Sequence, residues 1–212
     1  LNVSDSTKPS LALHTGTALR ADLSATSGVT SIRSYSNSPF TINIGGSGET
    51  EALRVDGSGR LLLGTTTEGQ ANADDLTVAG SSNSGITIRS GTSSFGQLFF
   101  SDGTSDLDEY RGIVGYSHAD NFMKFHTNAV ERLRIDSSGH VLPATNDTYD
   151  LGSSSLRWRD IYTGDLNLSN EGKTNDVDGT WGNYTIQEGE NDLFLINNRS
   201  GKKYKFNLTE VS

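Results

Sequence analysis

A twelve-residue pattern occurs twice in this chain, at an offset of 80 residues. Residues 51–62 are E-A-L-R-V-D-G-S-G-R-L-L, and residues 131–142 are E-R-L-R-I-D-S-S-G-H-V-L. The shared pattern is E-x-L-R-[VI]-D-x-S-G-x-[LV]-L. An internal repeat at a fixed offset indicates one supersecondary unit that is built twice. We therefore expect two related modules in this chain.

Each copy of the pattern predicts a β-hairpin. Apolar and charged residues alternate before the D-x-S-G segment, as they do in a strand with one buried face. Aspartate hydrogen bonds to the following backbone and glycine adopts positive φ, so D-x-S-G is typical of a tight turn. Arg54 and Arg134 should lie on the outer face. The residues expected to face inward and pack in an assembly are Leu53, Val55, Leu133 and Ile135.

The similarity extends weakly upstream of both copies. Residues 40–44 resemble residues 122–125, and residues 11–17 resemble residues 86–92. The predicted organisation is a first β-hairpin module over 1–80, a related β module over 81–150, a connector over 151–170 and a C-terminal β-meander over 171–212.

Short alternating segments run through the rest of the chain, and no segment has a sustained helical period. Residues 156–161 are compatible with one helical turn. The fold class predicted is all-β, made of short hairpins and β-meanders. Further strands are predicted at 41–44, 86–89, 97–100, 113–116, 184–187, 193–196 and 203–208.

The composition leaves little material for a core in a single chain. Hydrophobic residues are 33% of the chain, while Ser, Thr, Asn and Gly together account for 90 of the 212 residues. Isolated two-stranded hairpins are marginally stable in water. Threefold assembly would bury identical apolar faces on an axis and pair exposed strand edges, so the composition favours a homotrimer.

Charge and hydropathy restrict the partners. The net charge of −9 argues against a nucleic-acid partner, because phosphate affinity needs a basic surface. A solvated strand face is expected for the one basic run, Lys202, Lys203 and Lys205. No apolar run is long enough for membrane insertion. Leu1 is not an initiator methionine, so we expect a fragment or a processed product.

No residue set predicts a cofactor, a metal or catalysis. Zero cysteines exclude thiolate zinc sites and a cysteine nucleophile. Asp176 and Asp178 hint at a calcium loop, but the key carboxylates of such a loop are missing, and a turn is expected. The histidines, which lack metal spacing, are His14, His118, His126 and His140. Carboxylates that might serve a glycosidase, but are expected to be solvated loops, are Asp74, Asp75, Asp106, Asp108, Glu109, Glu188, Glu190 and Asp192.

The segment 151–162, L-G-S-S-S-L-R-W-R-D-I-Y, resembles the distal region of bacteriophage tail fibres and tailspikes. The L-R-I-D-S-S-G-H-V-L hairpin is similar to their repeated hairpins. Residues 182–190 and 193–198 are similar to fibre-type structural proteins of marine and cyanobacterial phages. The resemblance implies an elongated, intertwined homotrimer of the β-prism or triple-β-helix type. Such fibres often carry a C-terminal chaperone module, and the residues after Tyr162 do not resemble one. We therefore expect either that the module has been removed or that this fibre never had one.

The resemblance also implies a place and a role. The chain is expected in the virion, as an extracellular tail or surface fibre that binds a host-surface glycan or protein. Its partners would be two identical chains, the receptor and, through an N-terminal region, the rest of the virion. The alternatives are a structural or decoration fibre without a receptor and a glycan depolymerase.

Two groups of aromatic residues have predicted roles. Trp158, Ile161 and Tyr162 are expected to pack between chains, with Arg157 and Arg159 stacking on Trp158 or pairing with Asp150 or Asp160. Trp158 as a sugar-stacking platform is the alternative. For the C-terminal meander, Trp181, Asn183 and Tyr184 form a candidate receptor site. The alternative for Trp181 and Tyr184 is packing against neighbouring chains.

Overall fold

The computed structural model describes residues 10–15, 18–26, 29–35, 37–45 and 50–211, and it consists of short strands joined by turns and irregular segments. One 3-10 helix spans Asp106–Tyr110, and these ranges contain no α-helix. The prediction of an all-β chain is confirmed. The strands in the described ranges are β1 (Ser10–Thr15), β2 (Ala18–Thr26), β3 (Val29–Ser34), β4 (Phe40–Ile44), β5 (Thr50–Val55), β6 (Leu61–Leu63), β7 (Leu76–Val78), β8 (Phe95–Phe100), β9 (Gly112–Ser117), β10 (Phe122–Thr127), β11 (Val130–Ile135), β12 (Val141–Pro143), β13 (Leu166–Ser169), β14 (Asn183–Glu188), β15 (Leu193–Asn197) and β16 (Lys203–Lys205).

The strands form four sheets in which sequence neighbours pair. The sheet orders are β1-β2-β3, β4-β5-β6-β7, β12-β11-β10-β9-β8 and β13-β14-β15-β16. All pairs are antiparallel except β6 with β7, which are parallel. Meanders of this kind follow from short strands joined by glycine- and asparagine-rich turns. The β-meander prediction is therefore confirmed for these sheets.

The described chain divides into two compact units. The first ends at Ala144 and holds the first three sheets, and the second begins at Thr145 and holds the fourth. The module limits at residues 80, 150 and 170 stay predictions.

The two repeat copies form hairpins with the same strand register. In β5–β6, Arg54 pairs with Leu62, and in β11–β12, Arg134 pairs with Leu142, 80 residues later in both strands. The neighbouring pairs, Leu53 with Leu63 and Leu133 with Pro143, obey the same offset. Because side chains alternate along a strand, the arginines lie on the face opposite the inward apolar residues in both hairpins.

The turns of the two hairpins also match bond for bond. Asp56 Oδ1 accepts hydrogen bonds from the backbone N–H groups of Ser58, at 2.8 Å, and Arg60, at 3.0 Å. Asp136 Oδ1 accepts the two equivalent bonds, both at 2.9 Å. Gly59 and Gly139 have φ values of 87° and 88°, a conformation that L side chains rarely adopt. The D-x-S-G letters therefore specify this turn.

Hydrogen bonding lowers the pKa of both turn aspartates. For Asp56 the main cause is the Arg60 guanidinium, whose Nε donates to Oδ2 at 2.7 Å. For Asp136 the main cause is the backbone N–H of His140. Both carboxylates are therefore held in the charged form that accepts the turn bonds.

The upstream match between the modules is wrong by one residue. A β-bulge follows Ile42 where β4 pairs with β5, and a β-bulge follows Phe125 where β10 pairs with β11. Phe40 and Met123 each lie two residues before the bulge of their strand, so they are structurally equivalent. The sequence comparison aligned Phe40 with Phe122 instead. The error arises because aromatic or apolar residues occupy both faces of β10.

Several predicted elements differ from those in the structure. Residues 86–89 are not a strand and belong to none of the four sheets, so they do not correspond to β1. Residues 16 and 17, also in that comparison, lie outside the described residues. Residues 156–161 form no helical turn; the chain turns there through a 2.8 Å bond from Ser153 N to Leu156 O. The last strand ends at Lys205 rather than at residue 208.

Candidate functional site

One face of the four-stranded sheet β4–β7 is largely apolar. The pairings place eight apolar side chains on it in two rows across the strands. Several of them are exposed, although alternation in a sheet normally directs such a face toward a core. This first apolar face consists of Phe40, Ile42, Leu53, Val55, Leu61, Leu63, Leu76 and Val78.

The five-stranded sheet β8–β12 has an equivalent apolar face. It contains Leu133 and Ile135, the repeat partners of Leu53 and Val55, and Val141 on it is 62% exposed. Beside it, Ile86 and Ile88 of the preceding segment line a groove of about 310 Å³. This second apolar face consists of Leu98, Phe100, Val114, Met123, Phe125, Leu133, Ile135 and Val141.

The opposite faces of both sheets, here called the polar faces, carry the arginines of the repeat, which are paired within the chain. The polar face of the second sheet also carries the exposed rings of Phe95 and Phe99. Arg54 donates to Glu51 at 2.7 Å, and Arg134 donates to Glu131 at 2.6 Å. On the second sheet, the Arg134 guanidinium also lies 4.5 Å from the Phe122 ring centroid. Cation–π and carboxylate contacts satisfy these charges within the chain.

The apolar faces remain uncovered within the chain. Among the described residues, the only buried apolar side chains are Leu62 and Ile113, and both lie on the polar faces. If these faces are to leave water, another surface has to cover them.

The predicted inter-chain group at the connector is also uncovered. Trp158 is 63% exposed, Ile161 is 69% exposed and Tyr162 is 91% exposed. Arg159 pairs with Asp160 at 3.0 Å, as expected, and no cation–π contact with Trp158 occurs within the described residues. These side chains are available for packing against another copy, and that role stays a prediction.

The C-terminal sheet holds the predicted receptor residues in a network of polar contacts. Trp181, Asn183 and Tyr184 are all half-buried. The Arg199 guanidinium lies 3.8 Å from the Trp181 ring centroid, and its Nη1 donates to the Trp181 carbonyl at 2.6 Å. Asn197 Nδ2 donates to the Tyr184 hydroxyl at 3.0 Å. Half-burial leaves both predicted roles, receptor binding and packing between chains, untested.

Asparagine side chains fix the turn that carries Arg199. Asn197 Oδ1 accepts bonds from the backbone N–H groups of Arg199, at 3.0 Å, and Ser200, at 3.1 Å. Asn198 Nδ2 donates to Asn183 Oδ1 at 2.8 Å and to the buried Thr185 hydroxyl at 2.9 Å. The β15–β16 turn is therefore tied to β14 by side chains as well as by the backbone.

The predicted strands and motifs gave no role to Arg199 or Asn197. A detectable signal was present. Arg199 has no acidic residue within six positions on either side, unlike the arginines of the repeat pattern.

The carboxylates weighed for glycoside hydrolysis are engaged elsewhere or isolated. Asp108 forms an ion pair with Arg111, which also contacts Asp102 at 3.4 Å and Asn128 at 3.0 Å. Asp74 is bound by Arg60 at 2.8 Å, and Asp192 by Lys205 at 2.7 Å. Asp106, Asp108 and Glu109 lie in the 3-10 helix rather than in an irregular loop.

Histidine and aspartate residues are dispersed. In the described part of the chain, no three His, Asp or Glu side chains are grouped as metal ligands would be. Asp178 Oδ1 accepts bonds from Asn175 at 2.7 Å and from the Thr180 hydroxyl at 2.8 Å, and these bonds lower its pKa. Asp178 therefore serves a turn, as predicted. No helix within the described ranges is long and apolar enough to cross a bilayer.

The fold and these surfaces define an all-β chain of meander sheets with unsatisfied apolar faces. No protein-family model matches the chain, and no curated protein matches its sequence. Among solved structures, the chain is similar to the carboxy-terminal domain of the bacteriophage T5 L-shaped tail fibre, with 16% identity and a TM-score of 0.38. The match covers 76% of this chain and 87% of that one.

Proposed function

We propose that the chain is a component of a bacteriophage virion fibre, assembled as a homotrimer, that attaches the particle to the host surface. The observation that carries this proposal is the pair of uncovered apolar faces. Each large apolar side chain removed from water contributes roughly 1.5–3 kcal/mol, so covering both faces supplies a large driving force for assembly. Identical chains provide identical faces, and closed symmetry lets them cover one another.

The two hairpins support assembly on a common axis. Their registers and turns are equivalent, so a contact that suits Leu53 and Val55 also suits Leu133 and Ile135. A long fibre needs such repeated inter-chain contacts along its length. Trp158, Ile161 and Tyr162 extend the proposed interface to the connector.

Attachment to the host is assigned to the C-terminal sheet. Trp181 and Tyr184 combine apolar rings with polar atoms, and Asn183 adds an amide, which together suit a sugar surface. The proposed role is binding rather than catalysis, and the ion pair of the candidate acid Asp108 with Arg111 supports it.

The assembly part is tested by native mass spectrometry of the purified chain. The expected species has three times the 22.7 kDa chain mass. Trp158→Ala should weaken the trimer by about 3–5 kcal/mol if the ring is buried between chains. A stable, fully folded monomer contradicts the proposal.

The attachment part is tested by adsorption of fluorescent trimer to a panel of bacterial cells. Adsorption should saturate and be displaced by unlabelled trimer. Trp181→Ala combined with Tyr184→Ala should abolish adsorption while the trimer mass is kept. If both mass and adsorption are kept, these residues are not the receptor site. If both are lost, they are structural.

A further inference from the structure

Arg199 is a cation held in a fixed position without an acidic partner. Stacking at 3.8 Å on Trp181 and the 2.6 Å bond to the Trp181 carbonyl fix its guanidinium plane. Only one nitrogen is used by that bond, and the others have no hydrogen-bond partner among the described residues. By contrast, the guanidinium group of Arg54 forms an ion pair with Glu51, and that of Arg134 forms one with Glu131.

The surroundings of Arg199 are aromatic and neutral. Trp181, Tyr184, Asn197 and Ser200 line a groove of about 390 Å³ with it, and no carboxylate lines that groove. In a chain of net charge −9, a groove with a free guanidinium and no acid is unusual.

We propose that this groove binds the anionic substituent of an acidic sugar, so that the receptor is an acidic polysaccharide. This assignment rests on the proposed attachment function. A fixed planar guanidinium binds a carboxylate or sulfate through two parallel hydrogen bonds. Because the Trp181 stack already fixes Arg199, the ordering entropy lost on binding is small.

Neighbouring groups suit the rest of the sugar. Asn197 offers amide atoms and Ser200 offers a hydroxyl, and both groups can bond to sugar hydroxyls. Trp181 and Tyr184 supply apolar walls for the ring carbons. The Asn197 bond to Tyr184 at 3.0 Å holds the amide and the phenol in one arrangement.

The experiment is a calorimetric titration of the intact chain with three oligosaccharides that differ only at C6. These are oligogalacturonate, the neutral galactose oligomer and its 6-sulfated form. We expect at least tenfold tighter binding of an acidic oligomer than of the neutral one. The tighter of the two acidic oligomers identifies the substituent as carboxylate or sulfate.

The variants separate a specific site from general charge. Arg199→Gln should remove the tenfold preference, and Arg199→Lys should restore only part of it, since lysine lacks the planar fork. The matched control is Lys173→Gln, which removes an exposed cation paired with Asp147 in the same unit. It should keep the preference within twofold.

Three outcomes would overturn the inference. They are equal affinity for the neutral and acidic oligomers, a preference that survives Arg199→Gln, and displacement by inorganic sulfate at the same concentration as the oligomer. Indole N–H signals report the location, since the chain has only two tryptophans. A titration that shifts the Trp158 signal and leaves the Trp181 signal unchanged also overturns it.

Failure of this inference is distinguishable from failure of the proposed function. A trimer that adsorbs to cells but shows no acidic preference retains the function and loses the ligand class. A monomer that does not adsorb, but prefers oligogalacturonate through Arg199, retains the site and loses the function.

Discussion

Leu62 and Leu142 occupy the same position in the two repeat hairpins, yet Leu62 is 1% exposed and Leu142 is 40% exposed. Each faces the arginine of its own hairpin across the strand pair. The difference comes from β7, which pairs with β6 through Leu62 and Thr77, whereas β12 is an edge strand. One added parallel strand therefore converts an exposed leucine into a buried one.

This contrast predicts unequal costs of truncation. Leu62→Ala should lower the free energy of unfolding by about 2–5 kcal/mol, because it leaves a cavity. Leu142→Ala should cost under about 1 kcal/mol, since much of its surface is already in water. Urea denaturation of both variants at one chain concentration measures the difference. Equal losses would show that Leu142 is covered by something outside the chain.

If the second apolar face is an interface, a charged substitution on it should disrupt the trimer even at a residue that is exposed in the single chain. Val141 is 62% exposed and lies on the second apolar face. Val141→Asp should dissociate the trimer, because a charge would be buried without a partner. Sedimentation equilibrium measures the mass of the variant.

Val177→Asp is the matched control for that experiment. Val177 is 95% exposed, lies in the turn that contains Asn175 and Asp178, and is on neither apolar face. Its variant should remain trimeric. If Val141→Asp also remains trimeric, the second apolar face is not the interface.

His126 predicts a loss of stability in mild acid. Burial lowers the pKa of its imidazole, Lys124 lowers it further, and Glu131, 3.9 Å away, opposes both. Because the folded pKa is below the unfolded value of 6.5, stability is complete above that value. The stability then falls as the pH drops below 6.5.

Melting temperatures measured between pH 7.5 and about pH 5 test this expectation. The wild-type chain should lose stability toward the acidic end, and His126→Leu should flatten that part of the curve. His140→Gln is the control, because His140 is exposed and its ring contacts Asp136 at 3.1 Å. A curve that keeps its slope in His126→Leu assigns the acid sensitivity to other groups.

Local sequence patterns predict the repeat hairpins, whereas contacts between residues far apart in the sequence were not predicted. The D-x-S-G turn is determined within five residues, so the Asp56 and Asp136 turns follow from the letters. The β6–β7 pairing depends on Leu76 returning beside Leu61 after a twelve-residue connection, which no periodicity encodes. The stack of Arg199 on Trp181 joins residues 18 positions apart and was missed for the same reason.

The contacts around Arg111 lead us to expect no glycan cleavage by this chain. Asp108 is bound by Arg111, and its backbone carbonyl accepts a bond from Asp102 N at 3.0 Å, so the residue stabilises the loop. Incubation of the native assembly with acidic and neutral polysaccharides should release no reducing ends. Asp108→Asn should instead lower the melting temperature slightly, because one partner of an exposed ion pair is lost. Glu109→Gln, which alters the adjacent exposed carboxylate, should leave the melting temperature unchanged. Release of reducing ends by the wild-type chain, abolished in Asp108→Asn or Glu109→Gln, would establish a depolymerase instead of a binding fibre.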